Sequence, residues 1–276
     1  MPVSDSTHKP SVQPVTGNGD AERLRQRVEE RRAELGIVDK PDVTVGSVIR
    51  ERGLSLPPIV RETDEQKRHR ESRERLRAEA EAEGNWERIV RSIGERYRDC
   101  TLENYEVSHA KQEAAFSMIR GYASDLSKNV KDGMAVVLFG TVGTGKDHLM
   151  AALMRKCVFS HISVQWLNGM EFFGEMRDRI SEEKSERDVV RDLAKPDVLA
   201  ISDPLPPFGN LTQFQAAMFF RVIDRRYRDR KATWITVNVA NSEEASAKIG
   251  MSVIDRMKER SVAVHCDWPS YRTRKQ

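Results

Sequence analysis

VVLFGTVGTGKDHLMAAL, Val136 to Leu153, is the stretch whose reading decides the fold. Val136 to Phe139 is an apolar, largely β-branched run closed by glycine, the pattern of a buried strand. Asp147 to Leu153 is built of helix formers, so the whole reads as strand, glycine-rich turn and helix. Gly140 and Gly145 bracket the turn and Lys146 follows, the spacing of a phosphate-binding loop in the context that motif demands. Glycines let backbone N–H groups converge on phosphate oxygens. The helix start adds partial positive charge, and Lys146 reaches the outer phosphates as a point charge. The expected ATP-binding residues are Gly140, Thr141, Val142, Gly143, Thr144, Gly145 and Lys146, with Asp147 and His148 opening the helix.

Asp147 departs from the pattern. The residue after the lysine ordinarily gives a hydroxyl to Mg²⁺, and a carboxylate there repels a triphosphate. A neighbouring strand ordinarily ends in an Asp for the magnesium shell, followed by an acid that positions the attacking water. In PDVLAISDPLPP the apolar run ends in Ser202 and then Asp203. Hydroxyl and carboxylate have exchanged owners: the loop carries Asp147 and the strand Ser202. Mg²⁺ accepts carboxylate oxygen readily, so Asp147, Ser202 and Asp203 are the expected metal residues. Two readings stand beside the exchange. Asp147 caps the helix start, worth about 0.3–1 kcal/mol, with hydrolysis weak or lost; or a one-residue bulge makes Asp203 the metal acid. Asn238, ending the run ATWITVNV, suits a residue that orients water or senses the γ-phosphate, and Asn is also a common strand terminator. Arg256, in SVIDRMKER, suits a guanidinium offered to a neighbouring subunit's γ-phosphate, or a surface arginine paired with Asp255 or Glu259.

Outward from the loop, apolar runs alternate with helical patterns. Strands are expected at 135–139, 162–167, 197–202, 232–239 and 261–266, and helices at 147–159, 169–180, 212–230 and 251–259. That alternation means an α/β fold with a mostly parallel five-stranded sheet between helices. Composition shifts near residue 85, which divides the chain into 1–85 and 86–276. Residues 1–19 read as disordered, 20–35 as helical, 42–60 as a small helix-turn element and 64–84 as a charged helix with almost no apolar face.

Whole-chain properties exclude little. The 276 residues are 38% hydrophobic and 32% charged with a net charge of +3, so overall charge names no partner. Cys100, Cys157 and Cys266 lie far apart and make no metal-ligand pair, as expected of free thiols in a reducing compartment. No apolar run approaches the roughly 20 residues of a membrane span, and the N-terminal stretch has no apolar signal core. A cytoplasmic protein without a membrane partner is expected.

The ordered set RYRDCTLENY, GTVGTGKDHL, DVLAISD, FFRVIDRRYRDRKATWITVN and VIDRMKERSVAVHCDWPSYR resembles the DnaC-type replicative helicase loaders and the IstB-type transposition helper ATPases. Both are AAA+ ATPases, and the resemblance spans roughly residues 95–272. It implies an AAA+ domain of the ASCE P-loop type without the usual helical lid. It implies that Lys146 contacts the β- and γ-phosphates and that Asp203 stands in for a catalytic glutamate, one methylene shorter. Asn238 becomes the first sensor and Arg256 the finger acting in trans, which brings self-association through the ATP site. The implied function is ATP-dependent loading of a DnaB-type replicative helicase on single-stranded DNA, with residues 1–85 gripping the helicase. The alternatives are a transposition helper and a nucleotide-switched adaptor that does not hydrolyse ATP. Single-stranded DNA binding would rest on Arg221, Arg225, Arg226, Arg228, Arg230 and Lys231, which read equally as a solvated helix face.

Overall fold

The structure, a computed structural model, describes residues 62–182, 184–206 and 210–273, together with Gln26, Arg27, Glu30, Arg31 and Glu34. The chain divides into two compact units, 1–63 and 64–276. In the first unit the five described positions are helical, and Arg31 pairs with Glu34 at 2.6 Å. The expected disordered start at 1–19 and the element at 42–60 lie outside the described residues.

The second unit begins with α1 (Asp64–Ile93). Every residue from Asp64 to Arg77 is exposed, whereas Ala82, Trp86 and Val90 are buried. Their spacing of four puts them on one helical face. Residue 85, where composition changes, therefore lies inside a continuous helix, at the point where it reaches the core. Next come α2 (Ala110–Ser124), α3 (Leu126–Lys131), β1 (Ala135–Gly140), α4 (Lys146–Phe159), β2 (Val164–Asn168), α5 (Gly169–Ser181), α6 (Glu186–Ala194) and β3 (Val198–Ser202). The rest is α7 (Gln213–Arg228), β4 (Ala232–Val237), α8 (Ser242–Ile249), α9 (Met251–Glu259) and β5 (Ser261–Cys266).

The five strands form one sheet in the order β2-β3-β4-β1-β5, and every pairing is parallel. Alternation along each strand builds a core on both faces. Leu138, Ala200 and Trp234 face a cluster that includes Trp86 of α1, Ile119 of α2 and Leu149 of α4. Leu199, Ile201 and Ile235 face Phe172 of α5, Leu193 of α6 and Phe219 of α7. Burial on both sides explains why β3 and β4 read as near-continuous apolar runs. No described helix is long and apolar enough to cross a membrane.

Of the basic residues expected on and after α7, one is drawn into the core and four pair with carboxylates. Arg226 is fully buried. Its guanidinium donates to the Thr233 hydroxyl and to the carbonyls of Leu193, Pro196, Asp197 and Ala232. Arg221 pairs with Glu186, Arg225 with Asp229, Arg228 with Asp224 and Lys231 with Asp197. Arg226 is thus a staple joining α6, β3, β4 and α7 rather than a DNA contact.

Candidate nucleotide site

β1 delivers the chain into the phosphate loop at Gly140, whose φ is +132°. A Cβ there would lie 2.3 Å from the Cys266 carbonyl oxygen, a backbone atom that cannot step aside, so only glycine fits. The approach lets Thr141 N donate to the same carbonyl at 3.1 Å. Gly145, left-handed at φ +88°, then turns the chain into α4. Two aromatic side chains brace the loop between them. The Thr144 carbonyl accepts from Tyr105 Oη at 3.1 Å and from Trp268 Nε1 at 3.0 Å. Thr144 Oγ1 donates to the Thr141 carbonyl at 3.0 Å, and Tyr271 N donates to the Gly143 carbonyl at 2.9 Å. Val142 stands 61% exposed at the tip. His148 Nε2 lies 3.0 Å from the Thr101 carbonyl, tying α4 to the segment before α2.

Lys146 is buried. Its Nζ donates to the carbonyls of Gly140 at 3.1 Å and Thr141 at 2.7 Å. Burial pulls its ammonium below the usual lysine range, against the opposing pull of Cys266, Asp147 and Asp203. A cation held partly desolvated above a loop of backbone N–H groups is a ready receptor for phosphate charge.

Asp147 and Ser202 meet. Ser202 Oγ donates to Asp147 Oδ1 at 2.8 Å. A third residue, Thr236 of β4, donates to the same oxygen at 2.8 Å. The two hydroxyls are 3.3 Å apart, and Ser202 and Thr236 are 8% and 2% exposed. No cluster of three or more His, Cys, Asp or Glu residues able to hold a metal occurs among the described residues. One anchored carboxylate beside a phosphate site fits Mg²⁺, which takes one or two carboxylates and completes its shell with phosphate and water.

Asp203 sits at a left-handed φ of +48°, a conformation that costs a non-glycine residue roughly 1–3 kcal/mol. Its N–H bonds to the Thr236 carbonyl at 2.9 Å, and its Oδ2 accepts from Asn238 Nδ2 at 2.7 Å. Burial, foremost, raises the Asp203 carboxyl above the usual aspartate range; the Asn238 hydrogen bond opposes this and the Asp147 charge adds to it. Arg256 is not among the residues lining the cleft. It bonds Asp224 of α7 through Nε at 2.8 Å and the Ser252 carbonyl at 3.0 Å, and its guanidinium lies 4.6 Å from the Phe220 ring centroid. Its carboxylate partner is therefore Asp224, not Asp255 or Glu259.

Phosphate loop, Lys146, Asp147, His148, Asp203, Thr236 and Asn238 line one cleft of about 510 Å³, within the range for small-molecule sites. Sequence reasoning missed the other wall, formed by Tyr97, Cys100 and Tyr105, and the C-terminal rim of Trp268 and Arg272. RYRDCTLENY and DWPSYR carried those residues, without a spacing that tied them to phosphate chemistry.

Residues 87–276 match the family described as IstB-like ATP binding protein. The replicative helicase loader DnaC of Escherichia coli K12 is 29% identical over 182 residues, covering 64% of this chain and 71% of that protein. The replicative helicase loader DnaC of Buchnera aphidicola subsp. Acyrthosiphon pisum is 26% identical over 185 residues, covering 65% and 72%. A crystal structure of the DnaC helicase loader superposes with TM-score 0.56 at 20% identity, covering 63% of this chain and 99% of that one. The replication initiator DnaA bound to AMPPCP and single-stranded DNA superposes with TM-score 0.51 at 17% identity, covering 64% and 51%. The two superpositions show the fold alone, a parallel sheet between helices.

Proposed function

The chain belongs to the IstB-like ATP binding protein family, and on that premise we propose that it is an ATP-controlled loader: it binds Mg²⁺-ATP, assembles on single-stranded DNA and delivers a DnaB-type replicative helicase. The observation that carries this reading is the convergence of the phosphate loop, Lys146, Asp203 and Asn238 on one cleft. Relatives matched over 71% of their own length are named replicative helicase loader DnaC, which supports a helicase as the partner.

Each side chain then has a task. The loop N–H groups and the start of α4 receive the phosphates. Lys146 exchanges its carbonyl partners Gly140 and Thr141 for β- and γ-phosphate oxygens. Bound Mg²⁺ would neutralise phosphate charge, and Asp147, backed by Ser202, would hold it with Asp203 near by. In hydrolysis the attacking water bonds to the γ-phosphorus, its proton passes to Asp203, and the bond to the bridging oxygen breaks. Asn238 orients that carboxylate. Asp203 is shorter than glutamate, so its reach to the water is poorer and turnover is slow. Arg256, held by Asp224 and Phe220, serves the site of a neighbouring copy, which makes turnover depend on self-association. Residues 1–85 hold the helicase.

The resemblance of the ATP-binding core to IstB-type transposition helpers leaves a second reading, a transposition helper. The altered pair Asp147 and Ser202 favours a third, an adaptor switched by binding alone. A pull-down with the host's replicative helicase, in ATP and in ADP, tests the proposal. Retention in ATP and release in ADP is expected. No retention in either nucleotide refutes loading, and turnover at background with and without single-stranded DNA leaves the adaptor.

A further inference from the structure

Thr236 has no place in the expected site, because a threonine within ATWITV reads as ordinary strand filler. Its polar groups meet the Asp147 carboxylate and the Asp203 backbone N–H. Oγ1 donates to Asp147 Oδ1 at 2.8 Å. Ser202 donates to that same oxygen at 2.8 Å. A hydroxyl has one proton, and for that of Thr236 the charged Asp147 oxygen at 2.8 Å outcompetes the Ser202 hydroxyl at 3.3 Å, so both protons point at one carboxylate oxygen. Two donors on one oxygen, coming from two different strands, hold the carboxylate where a single donor would leave it free to turn. Asp147 Oδ2 has no such partner among the described residues and is left for a ligand. On its other side Thr236 grips Asp203: the Asp203 N–H reaches the Thr236 carbonyl at 2.9 Å and Oγ1 at 3.3 Å. That shared bond supports the left-handed turn at Asp203.

We propose that Thr236 is a positioning residue that locks the metal-side carboxylate, Asp147, in one orientation and ties it to the backbone of the water-side residue, Asp203. The proposal rests on the reading of Asp147 as the magnesium carboxylate. It assigns the hydroxyl, not the bulk, of Thr236: the backbone carbonyl holds Asp203 whatever the side chain, while only Oγ1 reaches Asp147. Metal-dependent binding is therefore the property that the hydroxyl sets.

The test uses the full chain with Thr236→Val, which keeps the shape and removes the hydroxyl, and Thr236→Ser, which restores it. ATP affinity is measured by calorimetry in Mg²⁺ and in EDTA, with thermal unfolding as the check on folding. Wild type binds more tightly in Mg²⁺. Thr236→Val loses about tenfold of that advantage, the worth of one charge-assisted hydrogen bond, with its EDTA affinity unchanged, and Thr236→Ser keeps it. Should Thr236→Val not fold, Thr236→Cys replaces the hydroxyl with a poor donor at similar volume and gives the same loss. A folded Thr236→Val with the wild-type ratio overturns the proposal while leaving Asp147 its metal role. A wild type indifferent to Mg²⁺ overturns both.

Discussion

Swapping the exchanged pair back is the perturbation that the geometry makes most quantitative. Ser202 Oγ lies 2.8 Å from Asp147 Oδ1, so Ser202→Asp alone sets two carboxylates against each other in a half-closed site. At a separation of about 4 Å and an effective dielectric constant near 20, that repulsion is about 4 kcal/mol. Asp147→Thr alone deletes the acceptor of two charge-assisted hydrogen bonds, from Ser202 and Thr236, each worth roughly 1.5–3 kcal/mol. Combining the two substitutions removes the repulsion and rebuilds one carboxylate facing two hydroxyls. The singles are therefore each destabilised and the double is not their sum: a coupling of about 4 kcal/mol toward recovery is expected. Urea unfolding of the nucleotide-free chain gives the cycle, and ATP turnover of the same proteins gives its functional counterpart. Turnover falls in Asp147→Thr and returns in the double. Additivity within about 0.5 kcal/mol, or Asp147→Thr with intact turnover, refutes the exchange and leaves Asp147 a helix-capping residue.

Arg226→Met should cost more than about 3 kcal/mol in thermal unfolding, because it orphans buried carbonyls worth about 1–3 kcal/mol each; a loss below about 1 kcal/mol removes the staple from the account. Turnover should rise with pH around a midpoint above the ordinary aspartate value of 3.8, since burial raises the Asp203 carboxyl, and Asn238→Ala should move that midpoint higher by deleting the opposing hydrogen bond. A raised folded-state pKa contributes stability below the unfolded value and loses it as pH climbs through the folded value. Asp203→Asn should accordingly stabilise the nucleotide-free protein at neutral pH, and a lower melting temperature there contradicts this. Arg256→Ala should bind ATP normally and turn it over poorly, and mixing it with Lys146→Met should restore turnover; an inactive mixture argues against a finger acting in trans.

Much of this architecture was legible because the sheet is buried on both faces. Short apolar runs such as AVVLFG and VLAIS, alternating with helical patterns, read as buried strands, and helix starts such as Thr212 carry capping boxes. α6 and α8 went unread. α6 begins in the charged stretch SEEKSERD, and its apolar positions Val189 and Leu193 make only a thin seam, while α8 is a short helix capped by Asn241. At the site, Asp147 and Ser202 could be paired because the phosphate-loop arrangement gives both positions, the residue after the lysine and the end of the neighbouring strand, to one metal ion. Thr236 could not, since its chemistry depends on the register that sets Ser202 beside Thr236 across β3 and β4. Arg226 misled for the same reason. In IDRRYRDRK it looks like one cation among many, and only packing shows that its neighbours face solvent while it faces carbonyls.

We propose a nucleotide site whose metal carboxylate, Asp147, stands at the helix start instead of the strand end. Calorimetric titration of the wild-type chain with ATP, once in Mg²⁺ and once in EDTA, tests it most directly. A fixed anion at Asp147 opposes bare triphosphate and favours the metal complex. Binding in Mg²⁺ should weaken by more than about tenfold in EDTA. Equal affinity in the two buffers contradicts it.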